Sequence, residues 1–296
     1  MPSSSVVTGE FEAQRSYLIA VAYRMLGNRS EAEDAVQEAW LRYAAHHDEI
    51  RDVRGWLTTV TARICLDQLN SARVRRTAYP GQWLPAYLVA PDADPADHAE
   101  LADQVSVALL VVLEKLSPEQ RVALVLHDAF AVPFEEVAAV LDTTVATARQ
   151  HASRARKAVA AGGVRHTAGL AEQRKVLEAF LTAASSGDMR TLAAVLAPDV
   201  VAVSDGGGVV RSALQPVYGA DKVARFYVGL LTRKLAGITD MEVTPVLVNG
   251  AAALLVRGTR TDGARLLAVI TVAVDEGRIT GVFNQQNPEK LVLGDL

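Results

Sequence analysis

The densest set of side chains able to do chemistry lies at residues 145–161, VATARQHASRARKAVAA. Placed about 100° apart on a helix, Arg149, Gln150, Ser153, Arg154, Arg156 and Lys157 share an arc of roughly 160°. Ala148, Ala152, Ala155 and Val159 occupy the other side, small enough for close packing against a partner helix. Five Lys or Arg and no acid lie between Asp142 and Glu172. Guanidinium and carboxamide groups on one exposed face can read base edges in a major groove. A merely solvated amphipathic helix shows the same pattern, so the cluster alone leaves both readings open.

A second basic set follows the apolar stretch Trp56 to Leu69, where Arg63, Arg73, Arg75 and Arg76 surround a single acid, Asp67. These cations could neutralise phosphates, and Trp56 or Tyr79 could stack on an exposed base. Taken alone, they equally describe a core tryptophan and a charge complement at a helix C-terminus. A third set is acidic, with Glu31, Glu33, Asp34 and Glu38 followed by Trp40. Acids at a helix start suit its dipole, while an exposed acidic ridge beside a tryptophan would suit protein docking.

The elements that must position these groups can be read from the local signals. Before residue 78 the pattern is helical, with Gly27-Asn28 as a stop and Ser30-x-x-Glu33 as a capping box. Ser117-Pro118-Glu119-Gln120 is a further cap with proline at the first helical position. Pro133, Glu135 and Glu136 open a helix ending near Leu141, Asp142-Thr143-Thr144 turns, and Val145 to Ala161 follows as the second half of a helix–turn–helix. Residues 79–100 contain four prolines, which makes them a linker. Beyond residue 168, two helices (Glu172 to Ala184, Met189 to Leu196) precede β-type segments at 200–203, 244–248, 252–257, 266–274 and 278–284. Helices followed by a run of strands imply an α+β domain. The boundaries are then 1–78, 79–100, 101–167 and 168–296.

Composition sets limits on function. Of 296 residues, 50% are hydrophobic and 22% charged, which supports sizeable cores and argues against global disorder. The longest aliphatic run, Val107 to Leu113, is far short of the ~18 residues that cross a bilayer. No basic stretch followed by an apolar one opens the chain, so no secretory signal is read. The single cysteine, Cys65, can form neither an internal disulfide nor a thiolate metal cluster. These facts fit a cytoplasmic protein with no cofactor and no metal. The net charge of −4 argues naively against a nucleic-acid partner, but its distribution says otherwise. Residues 1–78 balance at 10 cations and 10 acids, 101–167 at 7 and 7, and 168–296 at 13 and 13. The whole excess sits in 79–100, as Asp92, Asp94, Asp97 and Glu100.

Three blocks carry a resemblance to a known family: AEDAVQEAWLR (32–42), RGWLTTVTARICLDQLNSAR (54–73) and LSPEQRVALVLHDAFAVPFEEVAAVLDTTVATARQHASRARKAV (116–159). They resemble the extracytoplasmic-function class of bacterial sigma factors, the first two blocks region 2 and the third region 4. WLPAYL (83–88), Asp205-Gly206-Gly207-Gly208 and Asn287-Pro288-Glu289-Lys290-Leu291 resemble the subgroup with a fused SnoaL-like (NTF2-like) α+β cone. The resemblance implies a multidomain protein, with a region 2 helical bundle, a region 4 helix–turn–helix and that cone. It implies core RNA polymerase and promoter DNA as partners, with Asp34, Gln37, Glu38 and Trp40 at the polymerase. It further implies Arg63, Asn70, Arg73, Arg75 and Arg76 near the −10 element, and the 149–157 face at the −35 element. Trp83, Leu84 and Pro85 would form a regulatory contact with 205–208 and 287–291, taking the place of a dedicated anti-sigma factor. Four places depart from the family pattern: Val209 stands where the subgroup usually has a lysine, Glu289 where it has an aspartate, and Ala86-Tyr87 where the linker usually carries Glu-Pro; Asn70 also stands where the class often has a basic residue.

The C-terminal cone could hold a small ligand among Phe180, Tyr218, Phe226, Tyr227 and Phe283. It contains no histidine or cysteine beyond residue 168, and Asp205, followed by three glycines, reads as a turn residue rather than a catalytic acid. The expectation is therefore a sigma factor controlled by its fused domain, and not an enzyme. The alternatives are a DNA-binding regulator with a ligand-sensing domain and, more remotely, a tethered cyclase or isomerase.

Overall fold

The structure, a computed structural model, describes residues 4–76, 79–91, 106–161, 165–210, 212–234 and 237–293. The chain divides into two compact units, Met1–Ala78 with Val112–Gly162, and Tyr79–Val111 with Gly163–Leu296.

The first unit is helical. Helices α1 (Ser4–Leu26), α2 (Arg29–His46) and α3 (Val53–Arg76) bury Leu18, Val21, Ala22, Met25, Ala35, Val36, Leu57 and Ala62 between them. Gly27, at φ 70, ends α1. The α2 cap is Asn28, not Ser30, because the Asn28 carboxamide accepts from the N–H groups of both Ser30 and Glu31. Beyond α4 (Val107–Leu113), the Ser117–Gln120 capping box opens α5 (Pro118–Leu124) as the spacing predicts. A turn of π-helix, Val125–Ala129, continues α5, and α6 (Phe134–Val140) and α7 (Val145–Ala161) complete the helix–turn–helix.

The sequence reading separates residues 1–78 from 101–167, whereas the structure packs residues 112–162 with 1–78 as one unit and leaves the stretch before Val112 with the sheet unit. Arg121 of α5 is the physical reason. Only 3% exposed, it donates to the Met25 carbonyl at the end of α1 (2.9 Å), to the Leu113 carbonyl (3.0 Å) and to Glu114 (2.7 Å). A buried guanidinium with all these acceptors satisfied fixes the register between the two helical sets.

The second unit is an eight-stranded mixed sheet. Its strands are β1 (Tyr87–Pro91), β2 (Leu196–Asp205), β3 (Val217–Tyr218), β4 (Ile238–Val248), β5 (Ala251–Arg260), β6 (Arg265–Asp275), β7 (Arg278–Gln285) and β8 (Leu291–Leu293). The order is β3-β2-β7-β6-β5-β4-β1-β8, with β2/β7 and β1/β8 parallel and the other pairs antiparallel. Alternation along the strands gives two apolar faces. One packs under α8 (Leu170–Ser186), α9 (Met189–Val195) and α10 (Ala220–Gly229) through Val176, Leu177, Phe180, Leu192 and Tyr227. The other is covered by Leu84, Tyr87, Val107, Ala108 and Val111.

That second cover corrects the reading of 79–100 as a linker. Tyr87–Pro91 is a strand, with Val89 opposite Val248 on β4 and Tyr87 opposite Leu291 on β8. Its prolines do not prevent this, since Pro91 stands at the strand's last position and Pro85 before its first. Fully burying Leu84 contributes about 1.5–3 kcal/mol by removing apolar surface from water, and Tyr87 is fully buried as well. The acids Asp92, Asp94, Asp97 and Glu100 lie outside the described residues.

Candidate functional site

Three constellations emerge, two on the helical unit and one inside the sheet unit. The first is the exposed face of α7. Ala148, Ala152 and Ala155 are buried, while Arg149, Gln150, Ser153, Arg154, Arg156 and Lys157 are all exposed, in accord with the helical spacing. Two of the cations have protein partners. A guanidinium nitrogen of Arg149 lies 3.7 Å from a Glu135 carboxylate oxygen, and its head sits 5.5 Å over the Phe134 ring. Both members of that loose pair are more than half exposed. Arg156 is held more firmly: its Nε donates to Asp128 Oδ2 (2.7 Å) and a terminal nitrogen to Oδ1 (2.6 Å). Those bonds hold the Asp128 carboxyl below its ordinary range.

The second constellation spans α2 and α3. Asp34, Gln37 and Glu38 are exposed on α2, and Glu38 pairs with Arg42 one turn on. Leu41, 62% exposed, completes an i, i+3, i+4, i+7 face with them. Sequence reasoning missed Leu41, although this spacing was the signal that would have found it. Trp40, expected at the same contact, is less open than Asp34, Gln37 and Glu38. It is half-buried, 4.8 Å from the Phe11 ring and 6.2 Å from Tyr43, because position 40 points back towards α1. Tyr43 in turn donates to Glu10 (2.7 Å), and burial with that carboxylate pushes its hydroxyl up to about 12.

On α3, Asn70 is exposed, and Arg63 donates to the Ala139 carbonyl in the last turn of α6 (2.7 Å). Arg73, Arg75 and Arg76 fall on the last turn of α3, with side chains outside the described residues. Trp56 packs 6.1 Å from the Tyr43 ring.

The third constellation centres on Asp205, fully buried at the end of β2. One carboxylate oxygen accepts from the Tyr79 hydroxyl (2.6 Å) and the Gly207 N–H (2.9 Å). The other accepts from the Leu84 N–H (2.9 Å) and from Lys290 Nζ (2.7 Å). Lys290 also donates to the Leu84 carbonyl (3.0 Å) and lies 4.4 and 4.3 Å over the rings of Tyr79 and Trp83. Asn287 donates to Tyr79 and caps Pro288–Lys290 by accepting from the Glu289 N–H, while Gln285 donates to the Pro85 carbonyl. Burial, reinforced by Asp205, raises the Tyr79 hydroxyl far above its ordinary value.

The glycines are there for space and conformation. Gly207 and Gly208 have φ of 62 and 75, and a Cβ on either would come within 2.5 Å of Asn287 or Pro80. Trp83, Leu84, Pro85, the 205–208 loop and 287–291 therefore meet, but inside one unit, not across a domain boundary. Val209 is 75% exposed and takes no part; the cation that pairs with Asp205 is Lys290.

The five aromatics proposed around a ligand do not surround one cavity. Phe180 and Tyr227 pack edge to face (5.1 Å) under the helices, Phe283 lies on the opposite face, and Tyr218 is exposed. Among the described residues, no cluster of three or more His, Cys, Asp or Glu could hold a metal, and no helix is long and apolar enough to cross a membrane.

Known proteins are similar to this chain in sequence and fold. A sequence model of sigma-70 region 2 matches residues 11–75, and one of sigma-70 region 4 matches residues 106–159. The chain is 43% identical, over 95% of its length and 92% of the relative's, to the ECF RNA polymerase sigma factor SigJ of Mycobacterium tuberculosis. It is 35% identical to the probable ECF RNA polymerase sigma factor SigI of that species, over 98% of this chain and 97% of the other. The crystal structure of M. tuberculosis SigJ superposes with a TM-score of 0.73, covering 96% of this chain and 97% of that one, at 38% identity.

Proposed function

The chain belongs to the extracytoplasmic-function sigma factors of RNA polymerase, and from that premise we propose how its surfaces divide the work. The α2 ridge of Asp34, Gln37, Glu38 and Leu41 docks on core polymerase. An exposed leucine framed by acids supplies both an apolar anchor and a charge that selects a basic partner. The C-terminal turn of α3, with Asn70, Arg73, Arg75 and Arg76, approaches the −10 element, where cations displace counterions from phosphates. The exposed α7 face, including Arg149, Gln150, Ser153 and Arg154, reads the −35 element.

The sheet unit regulates and does not catalyse. Among the described residues its one buried carboxylate, Asp205, is fully buried and accepts from four donors. Asp205 instead holds residues 79–91 against the sheet, which fixes the chain that leads out of α3. The fused unit thereby takes the place of a dedicated anti-sigma factor. The observation that carries the factor role is the pairing of an acidic, leucine-centred ridge with a basic recognition helix on one helical unit.

Core binding tests it. Purified core polymerase should capture the full chain, and Leu41→Asp should weaken capture by about tenfold, as expected for an interface anchor. Unchanged capture by that variant would remove the α2 ridge from the account.

A further inference from the structure

The basic arc of α7 is not functionally uniform. Around the helix axis, Arg156 lies within about 40° of the buried Ala152, whereas Ser153, Gln150, Arg154 and Lys157 lie about 100° or more away. At this margin Arg156 leans onto the π-helical turn Val125–Ala129, where both oxygens of Asp128 accept its fork at 2.6 and 2.7 Å. A bidentate guanidinium–carboxylate pair commits two of the five N–H donors to the protein and neutralises the charge that would draw a phosphate. The contrast with Arg149 is direct, since its pair with Glu135 is 3.7 Å long and leaves the guanidinium available. A π-helical turn carries an extra residue, so Asp128 does not follow the path of a regular helix out of α5.

We propose that Arg156 is a positioning residue and not a DNA contact: with Asp128 it locks the recognition helix to the π-helical turn, leaving Arg149, Gln150, Ser153, Arg154 and Lys157 as the set that meets promoter DNA. This rests on the sigma-factor reading of α7. The His127 ring, stacked 3.8 Å from Phe134, ties the same turn to the start of α6. The Asp128–Arg156 lock thus fixes the angle at which α7 is presented. Specificity at the −35 element then depends on an acid that never touches DNA.

The test uses holoenzyme, the full chain loaded on core polymerase, in promoter binding across a salt titration. Neutralising a phosphate contact lowers the slope of log affinity against log salt by about 0.9. Arg156→Gln should weaken binding with the slope unchanged, while Arg154→Gln and Lys157→Gln should lower the slope or relax the −35 base preference. Arg156→Asp should cost about fivefold or more in affinity by setting two carboxylates together, and the charge-swapped double variant Asp128→Arg/Arg156→Asp should recover most of it. A lowered slope for Arg156→Gln, or a double variant no better than Arg156→Asp alone, overturns the proposal. If Arg149, Arg154 and Lys157 can all be neutralised without effect on promoter binding, the underlying reading of α7 has failed instead.

Discussion

Lys290 Nζ stands 2.7 Å from Asp205 Oδ2, with the lysine side chain 13% exposed and the aspartate fully buried. This pair closes the sheet unit around residues 79–91. Each partner also bonds Leu84, the lysine through its carbonyl and the aspartate through its N–H. The cation sits between the rings of Tyr79 and Trp83, so it is desolvated by the segment it holds.

Removing one half of this pair should be costly. Asp205→Ala leaves a buried ammonium without its counter-charge and should destabilise the sheet unit by about 3–5 kcal/mol in denaturant titration. Hydrogen exchange at the Leu84 amide should accelerate with it. Adding Lys290→Met to that variant should recover part of the loss, because the stranded charge is gone. Equal stabilities for wild type and Asp205→Ala would show that the segment is held by apolar contacts alone.

Arg121 is the corresponding point in the helical unit. Arg121→Met removes a buried donor from the carbonyls of Met25 and Leu113 and from the carboxylate of Glu114, and should cost about 3–5 kcal/mol. Glu114→Gln, alone and in the same chain, removes the carboxylate end of the Arg121–Glu114 pair. Thermal unfolding of the four chains as a double-mutant cycle measures the coupling.

Local signals were read well where local physics decides. The bounds of α7, Val145 to Ala161, and the Ser117–Gln120 capping box follow from periodicity and cap chemistry. Non-local features were not legible. The strand Tyr87–Pro91 looked like linker because its stability comes from β4 and β8, more than a hundred residues away, and not from its own proline-flanked sequence. Asp205 looked like a turn residue because its donors, Tyr79, Leu84 and Lys290, are distant in the chain. Angular spacing likewise placed Arg156 on the basic face but could not show Asp128 beneath it.

A pH dependence follows from His166. Its Nδ1 accepts from the Val274 N–H (3.2 Å), so a proton there would oppose that donor, and burial lowers its affinity for protons below the ordinary value of 6.5. Below pH 6.5 the unfolded chain takes up a proton that the folded chain refuses, so stability is full above 6.5 and falls as pH drops. The slope is about 1.4 kcal/mol per pH unit until the folded-state value is reached. Denaturant titrations at pH 7.5 and 5.5, for wild type and His166→Asn, check it (conditions spanning about one unit either side of the unfolded value). The asparagine oxygen can still accept from Val274, so the variant should lose the pH-dependent difference. An identical pH response in both chains would remove His166 as its source.

The central claim is that this chain is an initiation factor whose fused sheet unit sets its activity by holding residues 79–91. Run-off transcription with core polymerase, comparing the intact chain with Asp205→Ala, tests it most directly. The account predicts a promoter-specific transcript from the intact chain. It predicts that the variant still binds core but changes the yield by about fivefold or more, the equivalent of roughly 1 kcal/mol. No promoter-specific transcript from the intact chain, or the same yield from both, would contradict it.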